Sequence, residues 1–155
     1  MRSELADALD LDNFLPYRLS VLTNRVSGAI ARQYSERFNL SVPEWRVMAV
    51  LGSTPGLSAR EVAARTAMDK VQVSRAVASM TRARRVQRQV DANDGRITRL
   101  SLTERGRAIY DDIVPLALHL ESVLLSALSP EERKQLESLL EKLARRVSGL
   151  SSISL

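Results

Sequence analysis

Apolar residues at the start of the chain recur at three- and four-residue steps. Leu15, Leu19, Leu22, Val26, Ile30, Tyr34 and Phe38 share one face of a 3.6-residue period, which predicts a long helix over residues 14–38. Pro16 is tolerated there because it falls in the first turn. Ser41 and Glu44 have the spacing of a capping box, with Pro43 in the first turn, and open a short helix carrying Trp45, Met48, Ala49 and Leu51. The run Gly52-Ser53-Thr54-Pro55-Gly56 stops it. Ser58 and Glu61 form a second capping box and begin a helix of two to three turns that ends near Met68. Asp69 suits the N-cap of the next helix, expected over residues 69–84. Two short helices joined by a turn of three or four residues make a helix-turn-helix.

The period then changes. Residues 87–91 and 97–102 read as strands, with Leu100 and Leu102 on one face. Between them Asn93, Asp94 and Gly95 suit a tight hairpin loop. Thr103 is expected to cap a long helix over residues 104–128, kinked at Pro115. A third capping box, Ser129 and Glu132, opens the last helix, with a stripe of Leu136, Leu139, Leu140, Leu143 and Val147. The tail from Ser148 reads as frayed. The pattern predicts a mostly α chain, one domain over residues 1–155, with a winged helix-turn-helix over 57–102. Flanking it are long terminal helices, 14–38 and 104–148, and a two-stranded β wing.

Composition narrows the chemistry. At 45% hydrophobic and 26% charged residues the chain is ordinary for a soluble globular protein. It has no cysteine and one histidine, which excludes thiolate metals, disulfides, cysteine nucleophiles and a histidine metal cluster. No Ser/His/Asp set or glycine-rich phosphate loop is present, so an enzyme is not expected, nor a cofactor or metal. No apolar run reaches the roughly 18–20 residues of a membrane span. The acidic start, Met1 to Asp12, lacks the basic and apolar parts of a secretory signal, so a cytoplasmic protein with no membrane partner is expected.

The net charge is +5, but residues 60–107 alone hold 12 Lys/Arg against 5 Asp/Glu. That basic middle third is the footprint expected for a polyanion. On a helical wheel Val73, Ala76, Val77 and Met80 face inward. Lys70, Val71, Gln72, Ser74, Arg75, Ala78 and Arg82 face outward or flank the start. Arg75 suits the O6 and N7 of guanine, Gln72 the N6 and N7 of adenine, and Val71 a thymine methyl. Lys70 and Ser74 suit phosphate. Ordinary solvated residues would give a similar face, but would not explain an exposed Val71. Arg96, just past the hairpin tip, is placed for a minor groove. Asp91 and Asp94 look out of place on a DNA-facing wing unless an aspartate pairs with a neighbouring arginine and sets its direction. Asp94 as a simple turn-former is the other reading.

Five segments carry a resemblance: Pro43 to Met48, Leu57 to Ala63, Val73 to Val77, Asp91 to Arg96, and Leu102-Thr103-Glu104-Arg105-Gly106. Together they resemble the MarR family of bacterial transcriptional regulators over about residues 14–147. The Asp-x-x-Asp-x-Arg wing followed by Leu-Thr-x-x-Gly is the most specific part. The resemblance implies a homodimer joined through its first and last helices, and binding to a palindromic operator in double-stranded DNA, usually as a repressor. It also implies release by a small effector, often phenolic or an aromatic carboxylate. Lys70, Gln72, Ser74 and Arg75 match its reading positions, Arg96 its wing-tip arginine and Asp94 the acidic anchor. One departure concerns the glycine that usually follows the recognition helix, at about Arg85 here. A left-handed Arg85 would cost on the order of 1 kcal/mol, and the wing register shifts if the helix ends elsewhere.

Tyr17, Arg18, Trp45 and Arg46 are the candidate effector residues, lining a crevice between the first two helices. Aromatic rings and arginines suit an aromatic carboxylate. Alternatively Tyr17 and Trp45 are core, and the arginines make surface or interface ion pairs. His119 reads as a helix-face residue near the dimer seam. The alternative function is a helical protein-interaction module that does not read DNA.

Overall fold

The computed structural model describes residues 9–150. Residues 1–8, most of the acidic start, and the tail beyond Leu150 lie outside the described residues. In chain order the elements are α1 (Leu15–Phe38), α2 (Val42–Ser53), α3 (Ala59–Thr66), α4 (Lys70–Arg82), β1 (Val86–Val90), β2 (Thr98–Leu102), α5 (Glu104–Leu125) and α6 (Pro130–Leu150). The chain divides into two units between Val114 and Pro115. α5 runs on through Pro115 and ends three residues before its expected limit.

All three capping boxes close in both directions. Ser41 Oγ accepts from Glu44 N and Glu44 Oε2 from Ser41 N; Ser58 with Glu61, and Ser129 with Glu132, repeat the exchange. Asp69 Oδ1 accepts from Gln72 N at 2.8 Å and starts α4. Each cap satisfies backbone donors that a helix start leaves open.

In the first unit the core gathers Tyr34 from α1, Val47, Met48 and Leu51 from α2, Val62 from α3, and Val73, Val77 and Met80 from α4. Val86 and Leu100 of the wing and Ile113 of α5 complete it. Trp45 packs between the rings of Tyr34 and Tyr110, at 5.4 and 6.3 Å. Burial pushes the Tyr34 hydroxyl up to about 12, an effect the nearby Arg46 partly opposes. The Tyr110 ring stands over Gly52, where a side chain would collide with it.

The wing pairs β1 and β2 antiparallel, from Val86 opposite Leu102 to Val90 opposite Thr98. Leu57 pairs with the other edge of β2 through a single antiparallel bridge to Leu100. Leu100 is buried and Leu102 packs on the core, as the alternation requires.

In the second unit the predicted stripe on α6 is present and uncovered. Leu136, Leu139, Leu140, Leu143 and Val147 are 37–58% exposed.

Candidate nucleic-acid interface

The recognition helix α4 divides as its sequence pattern predicts. Val73, Ala76, Val77 and Met80 are buried, while Lys70, Val71, Gln72, Ser74, Arg75 and Arg82 are exposed. Val71 is 57% exposed. Gln72, Arg75, Ala78 and Arg82 line one wall of a groove of about 660 Å³, with Ser41 and Pro43 at the start of α2 on the other. The sequence reading did not anticipate that α2 borders this face. The signal was present in Ser41-x-x-Glu44, which fixes where α2 begins, but not in anything that says what lies beside it.

At the wing tip Asp94 and Arg96 form a two-point pair. Arg96 Nε donates to Oδ1 at 3.0 Å and Arg96 NH2 to Oδ2 at 3.1 Å. The Arg96 backbone N–H also donates to Oδ1. The arginine side chain remains 91% exposed while the aspartate is 34% exposed. Asp94 thus takes two of the five guanidinium donors, and the rest face solvent in a fixed direction. The Arg96 bond holds the Asp94 carboxyl below its ordinary range, and the same bond raises Arg96. Asp94 is therefore more than a turn-former.

Asp91 does a different job. Its Oδ1 accepts from Asn93 N and Asp94 N and shapes the loop. Its Oδ2 accepts from Arg99 Nε at 2.7 Å. Arg99 NH1 continues to Glu61 Oε2 at 3.1 Å, at the start of α3. Arg99 is the residue that sequence reasoning missed. It bolts the wing to the helix-turn-helix across a long stretch of chain. Its side-chain bond lowers Asp91, and that bond raises Arg99. Glu61 is lowered chiefly by the Ser58 backbone N–H, then by the Ser58 hydroxyl.

The exit from α4 corrects the expectation at Arg85. The left-handed residue is Arg84, with φ 56°, one position earlier. Arg84 N donates to Thr81 O and Arg85 N to Met80 O, the paired bonds of a Schellman motif. Because the helix ends at Arg82, β1 begins at Val86 rather than at residue 87.

The four candidate effector residues do not line one crevice. Tyr17 and Arg18 lie on the exposed first turns of α1, bordering a groove of about 480 Å³ with Leu15, Leu22 and Arg25. Trp45 is packed against Tyr34, about 25 Å further along α1 at 1.5 Å per residue. Arg46 NH2 reaches Ser27 Oγ at 3.4 Å. Trp45 serves the core, as the alternative reading held. Tyr17 is exposed and does not. His119 is exposed on α5.

Among the described residues no single helix is long and apolar enough to cross a membrane.

Comparison with known proteins agrees with this geometry. The model for the MarR family matches residues 38–97. The HTH-type transcriptional regulator BilQ of Clostridium symbiosum is 33% identical over 95 residues, which is 61% of this chain and 66% of that protein. The HTH-type transcriptional repressor Rv2887 of Mycobacterium tuberculosis is 28% identical over 140 residues, covering 90% of this chain and 96% of the relative. The crystal structure of a MarR/EmrR family transcriptional regulator from Acinetobacter sp. ADP1 superposes with a TM-score of 0.83 at 26% identity, over 91% of this chain and 99% of that one. With its helix-turn-helix matched by the family model and nearly its whole length shared with a solved member, the chain belongs to the MarR family of transcriptional regulators.

Proposed function

We propose that this protein is a sequence-specific regulator that binds double-stranded DNA as a homodimer on a palindromic operator, acts as a repressor, and is released by a small aromatic or phenolic effector. The observation that carries the DNA reading is the outward face of α4, with Arg75 and Gln72 exposed, together with an exposed Arg96 on the wing held in direction by Asp94. Arg75 and Gln72 supply base readout, Val71 a methyl contact, and Lys70, Ser74 and Arg82 phosphate contacts. Arg96 enters the neighbouring minor groove. Repression is supported by the relative named as a repressor over 90% of this chain.

Dimerisation is supported by apolar stripes left open on terminal helices. α6 exposes its leucines, and the first turns of α1 expose Leu15, Leu19 and Leu22. A two-fold pairing buries such faces and sets two recognition helices about one DNA turn, roughly 34 Å, apart. The effector reading narrows to the groove on α1, where Tyr17, Arg18 and Arg25 offer an aromatic face and cations for a carboxylate. A regulator of this kind works in the cytoplasm, without a cofactor and without catalysis.

Selection of bound duplexes from a random pool tests the proposal. A palindromic consensus with half-sites one turn apart is expected. Recovery of no consensus, with binding to a protein partner instead, would support the interaction-module reading.

A further inference from the structure

The exit of the recognition helix is tied to its surroundings by one side chain that the DNA-reading face does not use. Arg85 is half-buried. Its backbone N–H donates to Met80 O of α4 at 2.8 Å, and its carbonyl accepts from Thr103 N, at the start of α5, at 3.0 Å. Its guanidinium reaches in another direction, to the end of α1. There NH2 donates to Phe38 O at 2.6 Å and NH1 to Asn39 O at 3.2 Å. The last carbonyls of a helix lack intrahelical partners and carry its negative end, so a cation there is doubly favoured. Arg85 Nε is buried without a partner. The site is held although one donor goes unsatisfied.

The α5 side of this junction is equally specific. Thr103 Oγ1 donates to Arg84 O at 2.7 Å and accepts from Gly106 N at 3.0 Å. A Cβ on Gly106 would run into the Arg85 carbonyl, so glycine is what lets α5 start against the α4 exit. The Leu-Thr-x-x-Gly signature thus acts here as a clasp on residues 84 and 85.

We propose that Arg85 is a positioning residue for DNA binding, locking the end of the recognition helix to the end of α1 without contacting DNA. A displacement of α1 is then carried to α4 through two charge-assisted bonds. This inference rests on the DNA-binding function proposed above. The geometry needs a planar fork that spans two carbonyls, which a lysine head does not supply.

The test uses the full chain and a duplex selected with the wild type. Arg85→Met keeps the stem and removes the fork; Arg85→Lys keeps the charge. Melting curves establish that each variant is folded at the assay temperature. Both variants are expected to bind roughly tenfold more weakly, with the wild-type slope of log K against log salt. Amide exchange should quicken together in the last turns of α1 and α4. Wild-type affinity in both folded variants would overturn the proposal. So would full rescue by lysine with the methionine slope reduced by about one, the mark of a direct phosphate contact. If the wild type bound no duplex, the proposed function would fail instead. Exchange would still decide the junction: loss of protection at α1 alone, or at neither helix end, would refute it.

Discussion

Arg84 sits where an L-residue is strained, at φ 56° in the C-terminal cap of the recognition helix. The left-handed conformation costs a non-glycine residue about 1 kcal/mol or more. Arg84→Gly should therefore stabilise the fold by about 0.5–1 kcal/mol, read as a higher urea midpoint with an unchanged m-value. Gly106→Ala should do the reverse. Its methyl meets the Arg85 backbone carbonyl rather than a movable side-chain end, and overpacking of this kind costs about 1–3 kcal/mol. A variant of wild-type stability at either position would contradict this account of the exit. A left-handed residue after α4 was suggested only by the glycine that the family resemblance places near Arg85, not by the residues themselves. Its position was not legible, because the three residues Ala83, Arg84 and Arg85 differ little in what they say about where a helix stops. The paired Asp94 and Arg96 were legible, being two residues apart.

At the scale of elements, the wing and α3 depend on carboxylates. Glu61, Asp91 and Asp94 are all held below their ordinary values of 4.5, 3.8 and 3.8. A carboxyl lowered in the folded state adds stability that is fully present above its unfolded value and is lost as pH falls through the folded value. Stability should thus be insensitive to these groups above about pH 5 and decline below about pH 4. Asp91→Asn should be less stable at neutral pH and show a smaller acid loss in denaturant melts from neutral pH to acid. An equal acid loss in the variant would show that Asp91 is not one of the groups responsible. The helix starts were read correctly because capping boxes are local: donor and acceptor lie three residues apart. The bond from Arg99 to Glu61 was invisible for the opposite reason. It joins β2 to α3, and nothing in either segment alone names the other.

The largest scale is the proposed dimer on DNA. The α6 stripe was legible as amphipathic, but a single sequence does not say whether its own chain or a second copy covers it. In the described chain it is open. Leu139→Glu with Leu140→Glu should yield monomers in sedimentation, and those monomers should bind a palindromic duplex more weakly than the wild type, because only one half-site is then engaged at a time. The effector residues part company because the sequence fixes Tyr17 in the first turn of α1 but does not say where along α1 the α2 residues Trp45 and Arg46 pack. Arg75→Ala should cost about 1–3 kcal/mol in duplex binding and relax preference at one base pair. Arg96→Ala should weaken binding with less change in sequence choice.

The most direct measurement is the affinity of the wild type for its selected duplex across a salt series. A protein that neutralises several phosphates loses affinity steeply, with log K falling by about 0.9 per contact for each unit of log salt. The arginines of α4 and the wing predict a steep negative slope, made shallower by Arg82→Ala. A flat salt dependence, or no duplex binding at low salt, would contradict the claim that this basic face reads DNA.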